Sequence, residues 1–154
     1  MKTRLFVILI GLVLAVCSLD AQNRFDKIAE MEGVTSVYVS PKMFNMMKDS
    51  NSSTGDINID KVAKKLTGLQ ILTAENQEAS SLLRKETAFI NPKNGYEELM
   101  RVKDEGERMF IYMKEGKETN EYILLVDETK EFTLIILEGK LTIDEVRGIV
   151  NQLF

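Results

Sequence analysis

The chain has 154 residues, a formal net charge of −4, no histidine, no tryptophan and a single cysteine. Without histidine there is no Ser-His-Asp or Cys-His nucleophile pair and no imidazole base. A lone cysteine excludes an intramolecular disulfide, a four-cysteine zinc site and an all-cysteine iron–sulfur cluster.

The first segment, MKTRLFVILIGLVLAVCSLDAQ, joins basic Lys2 and Arg4 to an apolar run from Leu5 to Val16. That run is short of the ~20 apolar residues that span a bilayer. Basic start, apolar middle and small-residue end predict a secretory signal peptide over residues 1–21. Cleavage after Ala21 leaves Cys17 in the leader; Ser18 offers another cut. Lipidation of Cys17 is a third outcome, opposed by Val16, which stands where a lipobox takes Gly, Ala or Ser. With the Ala21 cut, residues 22–154 form a single domain of 133 residues with no cysteine and no transmembrane span. It then carries 18 basic and 23 acidic residues, because Lys2, Arg4 and Asp20 leave with the leader. At ~130 residues a domain buries roughly two thirds of its unfolded surface and requires no disulfide. The acidic balance argues against nucleic acid, which requires a basic face.

Phe25, Ile28, Ala29 and Glu32 follow helical spacing, with Gly33 as a stop. Val34 to Val39 is β-branched and reads as a strand. Ser40-Pro41 opens a helix, a hydroxyl cap followed by proline at the first helical position. Residues 49–58, DSNSSTGDIN, read as a loop. Val62, Ala63 and Leu66 mark a further helix with Lys61, Lys64 and Lys65 turned outward, ended by Gly68, and Leu69 to Leu72 is a short strand. Asn76 caps a longer helix with Ala79, Leu82, Leu83 and Ile90 on one side; Asn91-Pro92 and Asn94-Gly95 mark a turn. Leu99–Lys103, Arg108–Lys114, Glu121–Val126 and Phe132–Leu137 then read as four strands joined by short polar turns. Thr142 and Glu145 fit a capping box, and Ile143, Val146, Ile149, Val150 and Leu153 form the apolar face of a terminal helix. The fold class expected is α+β: a mostly antiparallel sheet ending in a four-stranded meander, with helices packed mainly on one face. MFIYM, YILLV and FTLIIL are apolar almost throughout, which predicts strands covered on both faces at least in part. A partner chain is one way to cover the second face.

Two surfaces stand out. Met43, Phe44, Met46 and Met47 crowd one short helix, and soft Met side chains serve adaptable binding surfaces; filling the core is the plainer role for them. In a meander the first and third turns share one end of the sheet. That brings Asp104, Glu105 and Glu107 near Asp127, Glu128 and Glu131, an acidic rim suited to a basic partner or a weakly held cation, or simply to solubility. Asp49, Asn51, Ser53 and Asp60 resemble calcium-loop spacing but miss the glycine and the final glutamate. Asn51-Ser52-Ser53 matches a glycosylation acceptor and is read as accidental. Neither a Gly-rich phosphate loop nor a G-x-S-x-G elbow occurs, and no acids read as paired in a pocket. No cofactor, metal site or catalytic residue is expected.

The stretches GVTSVYVSPKMF (33–44), KLTGLQIL (65–72), YEELMRVKDEGERMFIYMKE (96–115) and LLVDETKEFTLIILEGKLTIDEV (124–146) resemble a family of small exported proteins of Gram-negative bacteria, classed as a domain of unknown function. The resemblance covers nearly all of the chain after the leader, with a longer 49–58 loop, and rests on strands and turns rather than reactive residues. It implies residence in the cell envelope, some relatives being similar to lipoproteins, and carries over no catalytic residue. The function expected is an exported, non-catalytic module binding a protein or peptide in the envelope, periplasmic or secreted. The alternatives are a carboxylate-dependent hydrolase, which requires two acids of divergent environment in a pocket, and a structural lipoprotein anchored through Cys17.

Overall fold

The computed structural model of the protein describes residues 20–49, 62 and 64–153. Residues 1–19 with Cys17, the 50–58 stretch with its calcium-like spacing and glycosylation triplet, and most of the helix expected around Val62 lie outside the described residues, while Asp20 and Ala21, the end of the expected signal peptide, begin the first described helix. Helix α1 spans Asp20–Ala29, β1 Val34–Val39, α2 Pro41–Asp49, β2 Leu66–Ala74 and α3 Gln77–Glu86. Two 3-10 turns, Thr87–Phe89 and Pro92–Asn94, lead to β3 Glu97–Asp104, β4 Glu107–Lys114, β5 Asn120–Asp127, β6 Phe132–Gly139 and α4 Ile143–Leu153.

The domain is α+β, with one six-stranded sheet of order β1-β2-β6-β5-β4-β3. Every neighbouring pair is antiparallel. The last four strands form the meander expected from their short polar turns. β2 adds beside β6, and β1 closes that flank.

Alternation along the central strands sends apolar side chains to both faces. On one face Leu72 and Ala74, Leu134 and Phe132, and Ile123 and Leu125 pack against Phe25 and Ile28 of α1 and Ala79 and Leu83 of α3. On the other, Leu124 and Tyr122, Ile135 and Leu137 pack against Phe44 of α2 and Val146 of α4. Among the described residues helices therefore cover both faces, not mainly one. This explains why YILLV and FTLIIL lack polar alternation: Tyr122 to Leu125 and Leu134 to Leu137 point by turns into one core and the other.

Local chemistry sets the ends. Asn76 caps α3, its Oδ1 accepting from Ala79 N–H at 2.8 Å, while its Nδ2 donates to the Glu32 carbonyl at 2.9 Å. Thr142 and Glu145 form the expected capping box: Thr142 N–H donates to the Glu145 carboxylate at 2.9 Å and Glu145 N–H to the Thr142 hydroxyl at 3.3 Å. Two limits differ from expectation. Gly68 does not end an element but sits inside β2, at an irregularity in its pairing with β6. There a Cβ would stand only 3.2 Å from the Glu138 carboxylate. Helix α3 stops at Glu86, so Ile90 reaches the core from beyond a 3-10 turn.

The β3–β4 hairpin turns through Glu105 and Gly106, with φ of 28° and 103°. Positive φ at both central residues is the primed turn that matches strand twist, and it favours Asn over Glu at the first position. Glu105→Asn is expected to raise stability by about 0.5–1 kcal/mol. Thermal melts measure this, and an unchanged Tm would count against a strained Glu105.

Candidate functional site

At one end of the face covered by α1 and α3 the described residues leave the sheet open. The pairing sets Tyr38, Gln70, Ile136 and Ile123 in one row across four strands, and Gly68, Glu138 and Glu121 in the next. With no side chain at Gly68, the floor dips there. Phe25, Phe89 and Tyr96 wall the resulting groove, whose volume is about 90 Å³. A more open depression of about 270 Å³, lined by Lys114, Gly116, Thr119 and Asn120, adjoins it and shares Glu121 and Glu138.

Aromatic contacts position the wall. Phe89 meets Tyr96 edge-on at 5.8 Å and Phe25 tilted at 6.2 Å. The buried Tyr96 ring carries the Lys114 ammonium at 4.9 Å, and its hydroxyl donates to Glu121 at 2.7 Å. Glu121 and Glu138 are directly opposed on β5 and β6, which places like charges side by side. Partial burial, and then the charge of Glu121, raise the Glu138 carboxyl above the ordinary glutamate range. Two carboxylates on the floor and ring faces on the wall, one of which already carries the Lys114 ammonium, form a setting that attracts an ammonium or guanidinium group.

A raised carboxyl in the folded state favours folding at low pH and loses that contribution as pH rises through its own titration. Glu138→Gln is therefore expected to be more stable than the wild type at pH 7, with the difference closing below the ordinary glutamate value of 4.5. Urea titrations at the two pH values measure it, and a mutant less stable at pH 7 would overturn the assignment.

The residues singled out in the sequence divide. Phe44 is buried in the core, whereas Met43 and Met46 are 51% and 61% exposed. The Met47 side chain lies outside the described residues. Phe44 anchors α2, and Met43 and Met46 face outward, so Phe44 shares no surface with them.

The turns at one end of the sheet do come together. Glu128 is raised by desolvation and by the charges of Glu107 and Glu131, so these three carboxylates share a field. Asp104 and Glu105 are exposed at the other turn. Asp127 stands apart: it is nearly buried and accepts from Arg84 Nε at 2.7 Å and from Arg108. Arg84 also donates to the carbonyls of Glu128 and Glu131, at 2.7 and 3.4 Å. Two guanidinium groups therefore stand inside the rim. Among the described residues no cluster of three or more acids is set to hold a metal ion.

Sequence inspection missed the pairing of Glu121 with Glu138. The signal was present: counting back from the DETKE turn at equal steps along YILLV and FTLIIL brings the two glutamates opposite. Their convergence with Tyr96, from before the meander, and Tyr38, from β1, had no local signature.

An α+β domain with one antiparallel sheet between two pairs of helices, and an aromatic-walled acidic groove at its open end, is the class defined by these features. The chain belongs to the family described as Domain of unknown function (DUF4252), whose model matches residues 25–149. That span runs from Phe25, buried in α1, into α4 and contains the six described strands. No curated protein and no solved structure matches the chain. No helix among the described residues is long and apolar enough to cross a membrane.

Proposed function

We propose that this is an exported, non-catalytic protein-binding module of the cell envelope that takes a basic side chain of its partner into the groove. The observation that carries this reading is the pair Glu121 and Glu138 on the floor beneath the Tyr96, Phe89 and Phe25 rings, with Tyr38, 60% exposed, at the mouth. At about 90 Å³ the groove suits a single side chain; small-molecule sites generally run to ~300 Å³ or more. The basic leader and apolar run support export. The blocked tripeptides Ala-Arg-Ala and Ala-Glu-Ala, titrated into the labelled protein, test the binding. The arginine peptide alone is expected to shift the amides of Tyr96, Glu121 and Glu138, and Glu121→Gln with Glu138→Gln to abolish the shift. Equal shifts from both peptides, or none, would overturn the reading.

A second reading, hydrolysis by two carboxylates, draws on Glu138, raised by partial burial, standing directly opposite Glu121, which accepts from the Tyr96 hydroxyl. Release of nitrophenol from aryl glycosides by the wild type, and not by Glu138→Gln, is its test.

A further inference from the structure

The two edges of the sheet are built differently. β3 carries Glu97, Glu98, Arg101, Lys103 and Asp104, and its register with β4 breaks between Glu98 and Met100. Charges and a bulge at an edge oppose the addition of another strand. β1, VTSVYV, has no charged residue, proline or glycine, and pairs with β2 without a break over all six residues. Val37 and Tyr38 are 43% and 60% exposed along it. Among the described residues no strand pairs with its outer side.

The backbone fixes which groups point outward. Glu75 N–H donates to the Gly33 carbonyl at 2.8 Å, one step beyond the Val34 and Ala74 pair. In an antiparallel ladder both polar groups of a residue point the same way, and the direction alternates. Gly33, Thr35, Val37 and Val39 therefore face β2, and Val34, Ser36 and Tyr38 face outward. Val34 N–H is already taken by the Met31 carbonyl at 3.2 Å. Ser36 and Tyr38 thus present both N–H and C=O at the margin.

We propose that β1 pairs edge to edge with β1 of a second copy of this chain, about a twofold axis normal to the sheet. That axis makes opposed residues share a face. The register that uses Ser36 and Tyr38 sets Ser36 of each copy opposite Tyr38 of the other. Val37 then meets its own copy on the axis, and Thr35 lies opposite Val39. Small Ser36 meets large Tyr38, the β-branched Thr35 and Val39 meet as residues of like size, and every outward Ser36 and Tyr38 group finds a bond. A register centred on Ser36 needs the Val34 N–H and is excluded by its bond to Met31. The chain carries a net charge of −4, and β1 carries none of it, so two like-charged copies repel least along this line.

The self-pairing has a test that other occupants of the edge fail. Val37→Lys and Val37→Glu each set like charges on the axis, at a half-exposed position that leaves the core intact. Each is expected to sediment as a monomer at about 100 μM, where the wild type sediments as a dimer of Kd on the order of 10 μM. An equimolar mixture of the two is expected to restore the dimer. Val37→Cys in a Cys17→Ser background is expected to oxidise to a covalent dimer, while Val102→Cys, on the guarded edge, stays monomeric. Unchanged melting of each variant certifies the fold. A monomeric wild type, leaving the edge to an extended segment of another protein, overturns the proposal. So does a charge-swapped mixture that stays monomeric, or equal cross-linking at Val37 and Val102.

Discussion

Leu134→Ala is expected to lower the free energy of unfolding by about 3–5 kcal/mol. Leu134 is fully buried in β6, opposite Leu72 of β2 and Leu125 of β5. It belongs to the cluster closed by Phe25, Ile28 and Leu83. Truncation loses the transfer free energy of the removed carbons and leaves a cavity. The backbone around it is bonded to strands on both sides and collapses little, so the upper part of the range applies. Domains of this size carry roughly 5–15 kcal/mol in total, and with one cysteine in the sequence no intramolecular disulfide limits the unfolded chain. Urea unfolding measures the loss as a lower midpoint at constant slope. A loss of about 1 kcal/mol or less would show that this layer of the core is not closed.

Asp127→Ala is expected to cost about 2–4 kcal/mol, several times the cost of Arg108→Ala. The Asp127 side chain is 11% exposed and accepts from Arg84, itself 31% exposed, and from Arg108, 54% exposed. Arg84 lies 5.3 Å from the centre of the Phe132 ring and binds the Glu128 and Glu131 carbonyls, so it is fixed in place. Without Asp127 its guanidinium stays half-enclosed with no counter-charge. Arg108 reaches solvent and loses little, as exposed ion pairs contribute roughly 0–1 kcal/mol. A double-mutant cycle between positions 84 and 127 isolates the coupling. Equal losses for Asp127→Ala and Arg108→Ala would show the acid to be an ordinary surface charge.

Much of the fold was legible because its signals are local. Asn76, Ser40-Pro41 and the Thr142–Glu145 box announce helix starts through hydrogen bonds that span three residues. The meander follows from apolar runs separated by short polar turns. What the sequence did not disclose depends on distant pairing. Gly68 reads as a helix stop because glycine punctuates helices, yet here it lies within β2, packed close to Glu138. The helices cover both faces because β2 adds beside β6 and carries α2 and α3 to opposite sides. Phe44 and Met43 differ by one step along α2, and only the placement of that helix decides which is core. Asp127 looked like a turn acid because Arg84, its partner, is 43 residues away. The groove was hidden for the same reason, its glutamates visible and its walls remote.

The position of β2 also sets an order of events in folding. The pairings β3–β4, β4–β5 and β5–β6 join strands adjacent in sequence, so each closes a short loop at small entropic cost. β2 must wait for β6: Leu72 meets Leu134, sixty-two residues later. As the chain is synthesised, the β1–β2 unit emerges before the edge that will shelter it. Its uncharged strands stay exposed until Phe132 to Gly139 have followed, and the seam between β2 and β6 is expected to close last. The slowest step of folding and the greatest exposure to aggregation thus fall on the same stretch of chain.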